Sequence, residues 1–166
     1  MDNKFTNDLV IFADGGSRNS GAGVQGGTVN ANDLAAWAYL IVDYKNNAKV
    51  SDAQAELGQT NNAMEISGVL FAFEQLIKTD DLKNRPFDLI LDSKYVLDAL
   101  QKGWLDKWIA TNQTDRANFQ LWQQLHPLFK KLEPLINYQW VKGHNKSEGN
   151  LFVDRLLNQA MDQKKD

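Results

Sequence analysis

Cysteine is absent from the 166 residues. That excludes disulfides, thiolate nucleophiles and thiolate-bound structural zinc. With His126 and His144 as the two imidazoles, any bound metal is expected to be hard and oxygen-ligated. Long apolar runs are missing too. No stretch approaches the ~18 consecutive apolar residues of a membrane span. The opening MDNKFTNDLV also lacks the basic-then-apolar order of a secretory signal. A cytoplasmic protein with no membrane partner is expected. There is no basic excess either, since 18 Lys and Arg face 21 Asp and Glu for a net charge of −3. A general polyanion binder carries the opposite balance, so a nucleic-acid role would need a local patch.

Internal repeats, low-complexity tracts and interdomain linkers are also lacking, which predicts one domain over 1–166 with a polar tail at 163–166. The chain is 43% hydrophobic and 10% aromatic, enough for a sizeable single core. The longest irregular segment is the Gly- and Asn-rich stretch from Gly15 to Asp33.

Strands are predicted at Val10 to Ala13, Ala35 to Asp43 and about Lys49 to Leu57, the last two joined by an Asn-rich turn. From Asn62 to Lys78 the set Ile66, Val69, Leu70, Phe73, Leu76 and Ile77 keeps helical spacing. Pro86 opens a further strand, FDLILD. Helical patterns follow at Ser93 to Gln101, near Leu105 to Ala110, and from Thr114 to Leu132, where Pro134 forbids continuation. A last strand at about Ile136 to Val141 precedes a helix from Gly149 and Asn150 whose inner face is Val153, Leu156, Leu157, Ala160 and Met161. This order predicts an α/β fold, a mixed sheet with helices on its faces.

Four carboxylates occupy unusual places. Asp14 closes the first strand and Asp92 the fourth, where the carboxyl ends of strands in an α/β sheet form the ligand-binding crevice. Each could equally start a turn or cap a helix. Glu65 lies one turn before Val69, at the edge of the inward stripe, yet its spacing from Asn62 is that of a capping box. Asp154, between Val153 and Leu156, could simply favour a helix N-terminus. If all four converge, they repel one another unless a divalent cation sits among them. Oxygen ligands without thiols favour Mg²⁺ or Mn²⁺. A pair of such ions is the arrangement that clamps the attacking and leaving oxygens of a phosphodiester.

In order, the pieces FADGGS, TNNAME, LDSKYV, the Trp-rich region through LWQQL, WVKGHN and GNLFVDRLLNQA resemble type-1 ribonuclease H over nearly the whole chain. The resemblance implies a five-stranded mixed sheet flanked by helices. It further implies two-metal hydrolysis of the RNA strand of an RNA/DNA hybrid, leaving 3′-hydroxyl and 5′-phosphate ends. Asp14, Glu65, Asp92 and Asp154 would hold the ions, Asp14 bridging both. His144, in a polar loop, would handle protons or aid product release, whereas His126 is expected to be structural. Asn19, Asn61 and Asn62 match positions that contact the hybrid, and Thr60 and Asn118 match positions near the DNA strand's phosphate. Lys102, Trp104, Lys107 and Trp108 resemble the protrusion that grips the DNA strand, although the same residues could form a Trp-anchored helical subdomain.

The chain departs from the family pattern in places. The protrusion is short and weakly basic, which predicts weaker hybrid binding; the loop after Asp14 is long; and Lys94 stands where many members carry Gln. A monomer with no appended hybrid-binding domain is expected. A DNA-processing enzyme of the same wider fold is the competing reading, against which TNNAME and WVKGH speak. A non-catalytic hybrid binder is another, for which the loss of an acid would be expected.

Overall fold

A computed structural model describes residues 5–18, 29–142 and 147–165. The strands are β1 (Leu9–Arg18), β2 (Leu34–Asp43), β3 (Ala48–Leu57), β4 (Phe87–Leu91) and β5 (Ile136–Trp140). The helices are α1 (Asn61–Lys78), α2 (Lys94–Gln101), α3 (Trp104–Ala110), α4 (Phe119–Leu132) and α5 (Glu148–Lys165). One five-stranded mixed sheet runs in the order β3-β2-β1-β4-β5. β1 pairs antiparallel with β2 from Leu9 opposite Asp43 to Arg18 opposite Leu34. On its other side it runs parallel to β4 from Val10 opposite Asp88 to Phe12 opposite Ile90.

The near-continuous apolar run of β1 follows from its central place, because both faces of the sheet there are covered by helices. Leu9, Ile11 and Ala13 join one core with Trp37, Tyr39, Ile41 and the inward stripe of α1. Val10 and Phe12 join a second core with Ala36, Ala38, Leu40, Ile90, Val153, Leu157 and Met161, beneath α5. Edge strand β3 is largely exposed and correspondingly polar.

Two glycines bring α1 directly onto β1. A Cβ on Gly15 would run into the backbone of Met64 and Glu65, and one on Gly68 would stand 2.9 Å from the Asp14 carbonyl oxygen and 3.1 Å from that of Ala38. Glu65 is thereby held against β1 at Asp14 and Gly15.

Buried ionic and polar ties lock the opposite end of the sheet. Arg85 donates from both terminal nitrogens to Asp43, at 2.9 and 3.0 Å. The fully buried carboxylate of Asp88 accepts from the Thr6 amide (2.8 Å), Asn7 Nδ2 (2.9 Å) and Asn137 Nδ2 (3.2 Å), satisfying a charge that burial alone would penalise.

The structure corrects several expected boundaries. Thr60, not Asn62, caps α1, its Oγ1 accepting from the Ala63 amide at 3.1 Å. A side-chain oxygen three residues before a free helical amide is what a cap requires, and Thr60 meets that condition two residues earlier than the Asn62–Glu65 pairing assumed. Helix α4 begins at Phe119 instead of Thr114, because Asn112 (φ 50°) and Asn118 (φ 64°) take left-handed backbone that breaks the helix. Helix α4 ends at Leu132, as Pro134 requires, and a 3₁₀ turn, Glu133–Leu135, follows with the proline among its first positions, where its missing amide hydrogen costs nothing. Helix α5 continues through Lys165, so the predicted polar tail forms its last turn. No helix among the described residues is long and apolar enough to cross a membrane.

Candidate active site

Strands β1 and β4 run side by side in the same direction, with Phe12 opposite Ile90. Carrying that register two residues further sets Asp14 beside Asp92, just past the carboxyl end of β4; β1 itself runs on to Arg18, so Asp14 lies within the strand and does not close it as expected. Glu65 joins them from the second turn of α1, across the close contact made by Gly15 and Gly68. Carboxylate oxygens of Asp14, Glu65 and Asp92 all lie within 4.8 Å of one another. Asp14 is buried, and its Oδ1 accepts from the Gly15 amide at 2.8 Å. The carbonyl oxygen of Asp92 accepts from Trp140 Nε1 at 3.1 Å, which ties this residue's backbone to β5.

Electrostatics follow from this crowding. Burial pushes the Glu65 carboxyl well above its ordinary range, and the charges of Asp14 and Asp92 and a hydrogen bond shared with Asp14 push it further. The Gly15 amide opposes the shift only in part. Three acids held this close are costly without a counter-charge. The donor set is entirely carboxylate oxygen, which fits a hard divalent cation.

A profile of the RNase H family matches residues 6–162. The chain belongs to the RNase H family. Membership makes it a ribonuclease H enzyme, an endonucleolytic hydrolase. Among curated relatives, the ribonuclease H of Ruthia magnifica is 33% identical over 161 residues, covering 94% of this chain and 97% of the relative. That of Clostridium botulinum strain Hall is 29% identical over 160 residues, covering 93% and 96%. Among solved structures, LC9-RNase H1, a type 1 RNase H with the type 2 active-site motif, superposes with a TM-score of 0.72 at 19% identity, over 93% of this chain and 72% of that one. LC11-RNase H1 in complex with an RNA/DNA hybrid superposes with a TM-score of 0.67 at 18% identity, over 95% and 99%. At these identities the structures speak for the fold, and the five-stranded sheet is that of the RNase H fold.

The remaining predicted site residues of this RNase H chain fall into several groups. Asp154 stands half-buried on α5, between Gly149, which abuts the Phe12 ring, and Leu157, whose Cδ1 would lie 3.5 Å from a Cβ on Gly16. These contacts bracket Asp14 along β1, but the Asp154 carboxylate lies outside the 4.8 Å group. His144 and Asn19 lie outside the described residues. Thr60, Asn61 and Asn62 are exposed at the start of α1, one turn before Glu65. The capping-box alternative for Glu65 is overturned, since its side chain engages Asp14 and the Gly15 amide.

Lys102 and Trp104 reach solvent together, with the ammonium 5.3 Å from the ring centroid and Trp104 40% exposed. Trp108 does not join them. At 7% exposure it packs edge-on to Trp122 with ring centroids 5.5 Å apart, because one large indole completes the core beneath α3 more favourably than it would face water. The expectation that its face lies open to nucleic acid is therefore corrected. His126 is structural, as expected, with Nε2 2.8 Å from Asp106 Oδ1, joining α4 to α3.

Sequence reasoning missed Arg116 and Gln59, which line with Asn118 a surface cavity of about 550 Å³. Arg116 lies 4.0 Å over the Trp108 ring and donates to Gln113 Oε1 at 2.8 Å. Their one sequence signal was proximity to Asn118 and to Thr60, in a turn-rich segment with no periodicity to mark it.

Proposed function

We propose that this chain hydrolyses the RNA strand of RNA/DNA hybrids in a Mg²⁺-dependent reaction, with Mn²⁺ as a substitute, leaving 3′-hydroxyl and 5′-phosphate ends. The observation that carries this reading is the convergence of Asp14, Glu65 and Asp92, from the middle of β1, a helix and the end of β4, to within 4.8 Å. Asp14, Glu65 and Asp92 would hold the cations, and Asp154 would complete the ligand set from α5. A pair of such ions, when bound, stabilises negative charge on the attacking and leaving oxygens.

The chain's own residues supply position. Asp14 is fixed by the central strand and cannot retreat from its neighbours. The exposed amides of Asn61 and Asn62, with Asn19, suit the 2′-hydroxyls of the shallow minor groove of an A-like duplex. Thr60, Asn118 and the cavity beside Arg116 offer donors to a phosphate of the DNA strand. Lys102 and Trp104 form a small basic-aromatic grip further along it. His144, which precedes α5 in the sequence, would move a proton or speed product release. A monomer acting in the cytoplasm completes the proposal.

Incubation with end-labelled hybrid, RNA duplex and DNA duplex, with and without Mg²⁺, tests it. Cleavage of the hybrid's RNA alone, only in Mg²⁺, with ends that ligase rejoins directly without kinase or phosphatase treatment, is expected. Equal cutting of the DNA duplex, or cutting in chelator, would overturn the reading.

A further inference from the structure

Beside the acid cluster lies a second feature that the catalytic carboxylates do not use. Trp140, the last residue of β5, pairs with Leu91 at the end of β4 and is 40% exposed. Its position is fixed from two directions. The indole Nε1 donates to the Asp92 carbonyl at 3.1 Å, and the next amide, of Val141, donates to the Leu91 carbonyl at 2.9 Å. Two ammonium groups gather on the ring. Lys94 Nζ, from the first residue of α2, is 4.8 Å from its centroid, and Lys142 Nζ, from just beyond β5, is 5.6 Å away. Both lysines are exposed, and among the described residues neither is paired with a carboxylate.

The placement matters because the chain as a whole is acidic, at net −3, and its reacting centre is a knot of carboxylates. A polyanionic strand approaching that centre is repelled, and local cations at its side are needed to hold it there. Each ammonium is steadied by the electron-rich face of the ring, so the indole keeps two flexible side chains near one place.

We propose that Lys94, Trp140 and Lys142 form a grip for the backbone phosphates of the cleaved strand next to the scissile position. Lys94 and Lys142 contact phosphates directly, and Trp140 is a positioning residue that holds them beside Asp92. The strand is the cleaved one because the ring is bonded to the backbone of a carboxylate that the scissile phosphate must approach. The inference rests on the hybrid-hydrolase reading, and its test separates the two.

Fluorescence anisotropy with a labelled RNA/DNA hybrid in chelator, between 50 and 200 mM salt, is measured for the parent, Lys94→Ala, Lys142→Ala, the double variant, Trp140→Leu, Trp140→Phe and Lys78→Ala. Each lost phosphate contact makes the fall in affinity over that range about threefold smaller, hence about tenfold smaller for the double variant. Trp140→Leu is expected to move in the same direction and Trp140→Phe, which keeps an aromatic face, to restore most of the parent slope. Lys78→Ala, at the far end of α1, is expected to leave it unchanged. In Mg²⁺ the double variant should raise KM for hybrid with kcat little altered. An unchanged slope in the double variant, or an equal effect from Lys78→Ala, would overturn the grip. A parent that binds hybrid with the predicted slope yet cuts none in Mg²⁺ would instead sink the hydrolase reading and leave the grip standing.

Discussion

Replacing Gly68 by alanine sets two effects against each other. In the interior of a helix, alanine is favoured over glycine by about 1 kcal/mol, so propensity alone predicts a more stable protein. The contact with β1 predicts the reverse. The new Cβ would stand 2.9 Å from the Asp14 carbonyl oxygen and 3.1 Å from the Ala38 carbonyl oxygen. Both neighbours are backbone of central strands and cannot swing aside, so α1 must back off by roughly half an ångström to reach ordinary contact. Overpacking of this kind costs about 1–3 kcal/mol. Set against the propensity gain, contact leaves a net loss of up to about 2 kcal/mol, or up to roughly 8 °C in Tm for a chain of this length. Activity should fall further than stability. Glu65 lies one turn before Gly68, so retreat of α1 draws its carboxylate away from Asp14, and misplacements approaching 1 Å can cost about a hundredfold in rate. Thermal denaturation and hybrid cleavage under saturating Mg²⁺, on the same preparation, measure both. A variant more stable than the parent with full activity would refute the idea that this glycine seats the acid cluster.

Asp14→Asn is expected to abolish cleavage while leaving metal-free stability equal or higher, since one of the charges that burden Glu65 is gone. Added Mg²⁺ should raise the Tm of the parent more than that of the variant. Asp43 is held down to about 2 by the Arg85 guanidinium, with Asn46 assisting. A carboxylate lowered in the folded state stabilises the fold above its ordinary value of 3.8, and that contribution disappears as pH falls toward 2. Urea unfolding should therefore lose about 2 kcal/mol between pH 5 and pH 2 in the parent beyond what Asp43→Asn loses. Equal pH dependence in the two proteins would contradict the pairing.

Much of this site is readable in the chain because the chemistry is local. An apolar run that ends on an acid is rare enough to single out Asp14 and Asp92, and the inward stripe of α1 marks Glu65 at its edge. Helix and strand types followed from periodicity, since the cores beneath α1 and α5 each need one apolar face. What stayed hidden depends on partners far away in sequence. The capping role of Thr60 over Asn62 is decided by where β3 ends and α1 begins. Trp108 and Trp104 look alike in QKGWLDKW, and only the position of Trp122 sends one inward and leaves the other in water. Gly68 carries no motif of its own, yet the approach of α1 to β1 depends on it together with Gly15. Trp140 reads as an ordinary strand residue until Lys94, Lys142 and the Asp92 carbonyl are found around it.

The most direct measurement is anomalous diffraction from crystals soaked in Mn²⁺. The account predicts density bridging the carboxylates of Asp14, Glu65 and Asp92, with Asp154 turned toward it. Crystals at saturating Mn²⁺ with no peak shared by those three side chains, or with Glu65 facing away from Asp14, would contradict it.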